Sequence, residues 1–398
     1  GGSAGGSAGG SAGGSAGGLG GYPALPQGRT GIAAGHPNDV NIQSNADVLF
    51  ADGFESYGAA NQLTTRWDSF YQGANTRIAT EANNVFSGSK ALEFTLPQVN
   101  PEVSNAVVKN ITPKQDVLFV RVYTKFDPGY HVLSTSNHNG IRISASYPGP
   151  GTPPNGSDFF LFLVENALSY AEPDPGYTRL YVYHPEQRSM WGDVWFPDGK
   201  VIPFDAMPGN FGPTFVSRPN ITPLRNQWYS YELMVRANTP GQRDGRAAIW
   251  VDGDLIADFQ NVRVRDIASL KIDQIQLELH TQVGGSLNRQ NRKYYDNLVV
   301  AKSYIGPMTT TTPPPPPPPA PVVNVTALST TVMPNGSTTI SWTSTNATSC
   351  ASSSGQGGTG TSGSFQTPNL TATTVYTVTC MGAGGMASGA VTVNVSDG

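Results

Sequence analysis

Residues 270–280 constrain the fold more than any other part of this chain, because apolar and polar side chains alternate there almost strictly. The apolar positions are Ile272, Ile275, Leu277 and Leu279. The polar positions are Gln274, Gln276, Glu278 and His280, with one slip near Asp273. A period of two is typical of a β-strand with one buried face and one polar face. The chain is therefore predicted to contain a sheet whose polar face carries amides, a carboxylate and an imidazole.

Composition divides the 398 residues into four parts. Residues 1–46 open with GGSA repeats and are predicted to be a flexible tether, because they have little to bury. Residues 47–308 are rich in aromatic and β-branched residues and are predicted to form one large domain. Residues 309–321 contain a Thr/Pro tract and are expected to be a semi-rigid spacer. Residues 322–398 form a small module rich in Ser, Thr and Gly.

The predicted fold class is all-β. About ten to fourteen short extended runs in the large domain indicate an antiparallel β-sandwich of the jelly-roll kind. The run VDGDL predicts a hairpin with Asp252 and Gly253 in a type I′ turn. Four further runs in the last module predict a small immunoglobulin-like β-sandwich.

Both cysteines, Cys350 and Cys380, lie in the last module and are predicted to form a disulfide. A disulfide implies an oxidising compartment, so the protein is expected to be exported to the cell surface or beyond. A chain that opens on GGSA repeats is expected to be a mature product. Such tethers follow the lipidated cysteine of surface lipoproteins, and an engineered linker is the alternative.

Charge and hydropathy exclude two classes of partner. The net charge of −4 argues against nucleic-acid binding, which usually requires a clustered basic excess. No apolar run approaches the roughly 20 residues of a membrane-spanning helix. The sequence leaves the oligomeric state open.

Polar residues recur on one parity in four predicted strands. They are Arg121, Tyr123 and Lys125; Arg142, Ser144 and Ser146; Arg179, Tyr181 and Tyr183; and Gln276, Glu278 and His280. If these faces belong to one sheet, they form a groove suited to an anionic polysaccharide, because arginine pairs with carboxylates and tyrosine packs on sugar rings. The alternative is an ordinary solvated sheet face.

Five histidines provide the candidates for a general base at neutral pH. His138 lies in the polar loop STSNHNGIRI just before a predicted strand, and His280 shares a face with Glu278. His36 and His131 are expected to have no catalytic role. His184 follows Tyr183, so parity sets it on the opposite face. The paired acids of jelly-roll glycoside hydrolases, arranged as E-x-D-x-x-E, are absent from the sequence.

One metal site is predicted where the first strand of the large domain meets the last. Hard oxygen ligands for a structural calcium ion are available from Asp52, Glu55, Asp296 and Asn297. The alternative is that the two strands simply pair, with the acids exposed. No glycine-rich phosphate loop or HExxH motif is present, so no organic cofactor is expected.

Three segments of the large domain carry a family resemblance. FADGFE, WYSYELMVRANTPGQRDGRAAIWVDGDLIAD and YYDNLVVAKSYIGPM resemble secreted polysaccharide lyases of the concanavalin-like jelly-roll class, relatives of alginate, glucuronan and heparin lyases. The resemblance covers residues 47–308. Non-catalytic laminin-G-like and carbohydrate-binding domains share the W-x-D-G type of hairpin.

The resemblance implies β-elimination at a uronic acid. It assigns the base to His138 or Tyr181, the acid to Tyr183, and neutralisation of the substrate carboxylate to Arg142 with Gln276 and His280. The parity of the strands, described above, predicts Arg121, Tyr123, Lys125, Arg179 and Glu278 as substrate-binding residues. Alginate-cleaving relatives carry a lysine where this chain has SNHNGIRI, so either His138 replaces that lysine or catalysis has been lost.

The last module resembles bacterial immunoglobulin-like repeats in its segments SWTSTNATSC and TTVYTVTC, which implies attachment or spacing.

The sequence as a whole leaves three candidate functions. The first is a polysaccharide lyase acting on an acidic substrate, and the second is a non-catalytic glycan-binding or adhesive surface protein. The third is a hydrolase of neutral glycans.

Overall fold

The computed structural model describes residues 22–134, 136–167, 174–187, 190–202, 215–310 and 318–396. The chain divides into two compact units, Gly1–Thr311 and Thr312–Gly398. The GGSA repeats and the tract 311–317, predicted to be a tether and part of a spacer, lie outside the described residues. No helix within the described ranges is long and apolar enough to cross a membrane.

The first unit is almost entirely β-structure with short 3-10 helices. Its strands are β1 (Val48–Asp52), β2 (Ser69–Tyr71), β3 (Thr76–Ala79), β4 (Ala91–Leu96), β5 (Val103–Gln115), β6 (Val117–Phe126), β7 (Asn137–His138), β8 (Ile141–Ala145), β9 (Phe160–Asn166), β10 (Thr178–Tyr183), β11 (Asp193–Trp195), β12 (Val201–Ile202), β13 (Phe215–Val216), β14 (Tyr229–Arg236), β15 (Gly245–Val251), β16 (Asp254–Val262), β17 (Ile272–Thr281) and β18 (Asn291–Ala301). The 3-10 helices are Ile32–Gly35, Pro37–Asp39, Ile42–Ser44, Ala60–Thr65, Gly73–Asn75 and Ala82–Asn84.

These strands form two antiparallel nine-stranded sheets packed face to face as a jelly-roll sandwich, which confirms the predicted fold class. The front sheet has the order β12-β11-β10-β9-β8-β17-β5-β2, with β7 beside β17. The back sheet has the order β13-β16-β15-β14-β6-β18-β4-β3, with β1 beside β18. Buried apolar side chains from both sheets fill the space between them, including Ile143, Phe162 and Leu277 of the front sheet and Leu233, Ile249 and Val300 of the back sheet.

Strand β17 has the alternation that the sequence predicts. Ile275, Leu277 and Leu279 belong to the core, so the residues between them project from the outer face of the front sheet. The VDGDL hairpin is also confirmed, because Asp252 and Gly253 both have positive φ, at 52° and 91°, as a type I′ turn requires.

Residues 22–46 are not a flexible tether, and the sequence prediction is wrong for them. Ala33 and Ile42 are buried with Trp250 and Tyr304 on the outer face of the back sheet. The backbone N–H groups of residues 32 and 33 donate to the carbonyls of residues 304 and 305 at 3.0 and 2.9 Å. Gly31 permits this approach, because a Cβ there would lie 2.4 Å from the carbonyl oxygen of Ile305. The segment has irregular apolar spacing, so no periodicity revealed its burial.

The second unit is a small β-sandwich with its own core. Its strands are β19 (Val322–Ala327), β20 (Thr331–Val332), β21 (Thr339–Thr345), β22 (Ser349–Ser352), β23 (Ser362–Gln366), β24 (Thr374–Gly382) and β25 (Gly385–Val395). They form the sheets β19-β21-β23 and β20-β25-β24-β22. The predicted disulfide Cys350–Cys380 joins β22 to β24 beside buried Trp342. The immunoglobulin-like assignment stays a prediction.

The burial of residues 22–46 can be tested with one substitution at a buried residue and one at an exposed residue of this segment. Replacing Ile42, which is 2% exposed, by Ala should lower the free energy of unfolding by about 2–4 kcal/mol, because it leaves a cavity against the back sheet. The matched change Val40→Ala, at a residue 61% exposed, should cost less than about 0.5 kcal/mol. Chemical denaturation measures both, and equal effects would mean that the segment is not packed in solution.

Candidate functional site

The outer face of the front sheet gathers most of the polar residues that the sequence singled out. In register, β17 places His280 opposite His138 of β7 and Gln276 opposite Arg142 of β8. Strand β9 lies beside β8, and β10 lies beside β9. We call the resulting group the outer-face cluster; it consists of His138, Arg142, Tyr147, Glu165, Arg179, Tyr181, Tyr183, Gln276, Glu278 and His280.

A buried carboxylate lies at the centre of this cluster. Glu165 Oε2 is 2.7 Å from His138 Nδ1, and its Oε1 accepts a hydrogen bond from Arg179 Nε at 2.9 Å. Burial opposes ionisation of Glu165, but the charges of His138 and Arg179 lower the pKa of the carboxyl. Glu165 is therefore ionised at neutral pH and fixes the orientation of the His138 ring.

His138 is the partly exposed member of this triplet, with 22% of its side chain accessible. Burial alone would lower its pKa, but the neighbouring Glu165 carboxylate outweighs that effect and raises the pKa above its ordinary value. Because Nδ1 contacts Glu165, we assign the N–H to Nδ1 in the neutral ring and leave Nε2 as the basic nitrogen.

Two further rings lie against His138. Its ring centroid is 4.7 Å from that of Tyr181 and 5.4 Å from that of His280. Burial and the nearby charge of His138 lower the pKa of His280 to about 4, so His280 is neutral at neutral pH. Burial and the hydrogen bond to Tyr183 raise the pKa of Tyr181, so its hydroxyl keeps its proton. The site thus combines a basic imidazole, a neutral imidazole and a protonated phenol.

Tyr183 does not fit the role of acid that the family resemblance gave it. The residue is fully buried among Phe159, Leu161 and Leu163. Its hydroxyl oxygen accepts from the Tyr181 hydroxyl at 3.3 Å, and its ring packs 5.6 Å from that of Tyr147. Tyr181, which is only half-buried and lies beside His138, is the phenol that a substrate can reach.

Arg142 forms a second polar group farther along β8 and β17. Its Nη2 donates to Gln276 Oε1, and its Nη1 is 3.6 Å from Glu278 Oε2. The Arg142 guanidinium also lies 5.3 Å from the ring of Tyr147. Four residues along the strand separate Arg142 from His138, which corresponds to roughly 13 Å between their backbones.

Three predicted substrate-binding residues are on the wrong sheet, and this part of the sequence prediction is incorrect. Arg121, Tyr123 and Lys125 project from β6 of the back sheet and are buried there. Arg121 pairs with Asp39 at 2.6 Å, Tyr123 accepts from the backbone N–H of Met308 at 2.8 Å, and Lys125 donates to Asn84 Oδ1 at 3.1 Å. Their partners come from segments that cover the back sheet, so they cannot line a groove with His138.

The remaining histidines have structural partners. His184 is buried 2.7 Å from Asp193 on the core side, the face opposite Tyr181 that parity predicts. His131 Nδ1 is 2.8 Å from Asp174, and His36 Nδ1 is 3.2 Å from the carbonyl oxygen of Val40. None of the three joins the outer-face cluster.

The predicted calcium ligands lie near one another but differ in their surroundings. The first and last strands do pair, with Asp52 opposite Leu298. Asp52 accepts from the Tyr57 hydroxyl, Trp67 Nε1 and the backbone N–H of Phe54, so its oxygens are occupied. The described part of the chain contains no group of three or more His, Cys, Asp or Glu side chains arranged to hold a metal.

Asp296 and Asn297 keep a fit to a hard cation, whereas Glu55 is exposed and its oxygens accept from the backbone N–H groups of Ser89 and Lys90 and from the Ser89 hydroxyl. Burial, together with the nearby charge of Glu55, raises the pKa of Asp296 to about 7, although three backbone N–H groups oppose the shift. Asn297 Oδ1 is buried and has no hydrogen-bond partner among the described residues. Calcium binds carboxylate and amide oxygen atoms, which Asp296 and Asn297 provide.

Sequence reasoning missed two members of the cluster, Glu165 and Tyr147. Glu165 stands alone in the apolar run FFLFLVEN, which indicates a strand buried on both faces. A single charge in such a run needs a buried partner, and this was the available signal. Tyr147 follows the end of β8 in a Pro/Gly-rich stretch, where parity gives no information.

Comparison with known proteins reveals neighbours only among solved structures. No protein-family model matches the chain, and no curated protein does. The alginate lyase Aly36B, as a mutant bound to an alginate trisaccharide, is 18% identical with a TM-score of 0.47 over 65% of this chain and 100% of that chain. The PL-14 alginate lyase of Aplysia kurodai is 13% identical with a TM-score of 0.46 over 65% and 100%.

The endo-β-1,4-glucuronan lyase of the fungus Trichoderma reesei is 17% identical with a TM-score of 0.41, over 64% of this chain and 96% of that chain. The structural neighbours thus include alginate and glucuronan lyases at low identity, and the carbohydrate recognition domain of Emp46p, 8% identical with a TM-score of 0.36 over 64% of this chain and 96% of that chain, is also among them. At this level of similarity they decide nothing about the chemistry of this chain, which has to be argued from its own residues.

The contact between His138 and Glu165 makes a testable prediction. Glu165→Gln removes the negative charge that raises the pKa of His138, so the midpoint of the His138 titration should move to lower pH. Two-dimensional NMR of the imidazole resonances measures this midpoint. The matched change Glu102→Gln removes an exposed carboxylate 3.8 Å from His280 and should leave the His138 midpoint where it is. An unshifted midpoint in Glu165→Gln would disprove the contact.

Proposed function

We propose that this protein is an extracellular lyase that cleaves a uronic-acid-containing polysaccharide by β-elimination on the outer face of the front sheet. The observation that carries the proposal is the grouping of His138, Tyr181 and His280, with His138 held by Glu165. A base, a proton donor and a neutral hydrogen-bond donor within one patch are the groups that this reaction requires.

In the proposed reaction His138 Nε2 takes the proton from C5 of the uronic acid. His280, neutral at neutral pH, donates an N–H to the substrate carboxylate and stabilises the enolate-like intermediate. The bond between C4 and the glycosidic oxygen then breaks, and the Tyr181 hydroxyl gives its proton to the leaving oxygen. The product carries a C4–C5 double bond, and solvent returns the proton from His138 to Tyr181.

Arg142 acts as a binding residue in this scheme. The backbones of Arg142 and His138 lie roughly 13 Å apart along the sheet, so we do not assign both residues to one sugar. Arg142 and Gln276 are instead suited to the carboxylate of a neighbouring sugar, with the Tyr147 ring beside the guanidinium. Arg179 and Glu278 support this face through their pairs with Glu165 and Arg142.

Two features of the outer-face cluster concern the alternative functions, a glycan-binding protein and a hydrolase. Each arginine of the cluster is paired with a glutamate, which lowers the net positive charge available to an acidic substrate and keeps a non-catalytic glycan-binding surface protein as the second candidate. Hydrolysis of a neutral glycan needs a carboxyl with a raised pKa as general acid. Glu165 has a lowered pKa, so it does not fit that role.

The secreted location is proposed from the disulfide, which persists in oxidising compartments. We propose that the second unit is an immunoglobulin-like accessory domain that serves attachment or spacing. The predicted spacer between the units and a lipid-anchored tether belong to the same proposal.

Incubation with a panel of alginate, glucuronan and heparin-type chains tests the function. A lyase releases unsaturated products, which absorb ultraviolet light because of the new double bond. Retention on immobilised polysaccharide without new absorbance would indicate the glycan-binding protein, and new reducing ends without absorbance would indicate a hydrolase.

His138→Ala should reduce turnover on the order of a hundredfold or more, because it removes the base. It should also lower the melting temperature, because the buried Glu165 loses one of its partners, so turnover is compared well below the unfolding transition. The matched change is His131→Ala, at a partly exposed histidine outside the cluster, which should keep full activity. Wild-type activity should rise as pH rises through the raised pKa of His138, because the base must be unprotonated. Undiminished turnover in His138→Ala would remove His138 from the mechanism.

We also propose that Asp296 and Asn297 bind a structural calcium ion near Glu55. EDTA should then lower the melting temperature, because the ion neutralises carboxylates that otherwise repel each other. Asp296→Asn should lose this response to EDTA, whereas Asp158→Asn, at an exposed acid elsewhere, should keep it. Identical melting curves with and without EDTA would dismiss the calcium site.

A further inference from the structure

Lys293 is a buried lysine in the space between the two sheets. It belongs to β18 of the back sheet, is 1% exposed and points at the front sheet. Its Nζ donates to the backbone carbonyl of Asn139 and, at 3.1 Å, to Asn139 Oδ1. No carboxylate in the described ranges lies within ion-pair distance of this amine. Burial lowers the pKa of Lys293 well below its ordinary value.

Asn139 accepts the hydrogen bonds of the Lys293 amine. It joins β7 to β8 and follows His138 directly in the chain. Its side chain makes hydrogen bonds to β9 of the kind that a strand backbone would make. Oδ1 accepts from the backbone N–H of Asn166 at 3.2 Å, and Nδ2 donates to the Asn166 carbonyl. The backbone carbonyl of Asn139 is then left for Lys293 Nζ.

A buried carbonyl without a partner is costly, and so is a buried amine without an acceptor. The contact between Lys293 and Asn139 removes both costs at once and ties the junction of β7 and β8 to the opposite sheet. His138 projects to the outer face from the residue before Asn139, so the position of its ring depends on that junction.

We propose that Lys293 is a positioning residue for His138, acting through Asn139 from the core side of the front sheet. The catalytic part of this inference rests on the proposed lyase function, but the effect on the His138 ring does not. Lys293 touches no substrate in this scheme, so its removal should alter the reaction rate more than substrate binding.

Lys293→Met, which keeps a long apolar side chain, tests the proposal. The kcat should fall on the order of 10- to 100-fold with KM nearly unchanged, because a small displacement of the base slows proton transfer. The NMR signals and titration midpoint of His138 should move as well. The matched change is Thr124→Val, which removes a buried hydroxyl that lines the same small cavity and has no hydrogen-bond partner among the described residues. It should retain both kcat and the His138 signals.

The two readouts separate this inference from the proposed function. If the wild-type protein cleaves no polysaccharide, a moved His138 signal in Lys293→Met still supports the positioning role. Unmoved His138 signals in folded Lys293→Met would overturn it, whatever the activity. If Lys293→Met does not fold, Lys293→Gln tests the same contact, because the shorter side chain keeps a donor but moves it away from the Asn139 carbonyl. Unmoved His138 signals in that variant would overturn the inference equally.

Discussion

The register of β17 between its neighbours is the constraint on which the rest of the first unit depends. Because side chains alternate with a period of two, a slip of one residue would turn Gln276, Glu278 and His280 into the core and expose three apolar residues. The long pairing with β5, from Ile272 opposite Gln115 to Thr281 opposite Val103, opposes such a slip. On its other edge β17 pairs with β7 and β8, which sets His280 opposite His138 and Gln276 opposite Arg142, so the position of β17 defines both the core and the outer-face cluster.

Burial of Glu165 determines the electrostatics of that cluster. A carboxylate removed from water is stable only when opposite charges and hydrogen bonds replace its hydration. Arg179 of β10 and His138 of β7 supply these charges and hydrogen bonds. The carboxylate of Glu165 therefore fixes the orientation of both side chains. The neighbouring His280 has only the exposed Glu102 carboxylate near it, at 3.8 Å, and burial together with the charge of His138 keeps it neutral. Two imidazoles 5.4 Å apart therefore differ in protonation because only one touches the buried acid.

Period-two patterns predicted the strands and the face on which each polar residue lies, but not the sheet to which the strand belongs. Arg142, Tyr181 and Gln276 were assigned to one face correctly. Arg121 and Lys125 show the same parity and lie on the other sheet, because strand order depends on contacts distant in sequence. Glu165 was missed for a related reason, since its partners come from two other strands. Residues 22–46 were misjudged because burial of an irregular segment leaves no periodic signal.

The covering of the back sheet explains why the candidate site lies on the front sheet. Residues 22–46 bury Trp250 and Tyr304, so β6 and its neighbours have buried side chains on both faces. Charged groups there are paired internally, as Arg121 is with Asp39. On the front sheet, His138 and Tyr181 remain partly accessible while their partners Glu165 and Tyr183 are buried. The polysaccharide of the proposed function would therefore bind on the front sheet, and the difference in accessibility between the two sheets follows from residues 22–46, which contribute no side chain to the outer-face cluster.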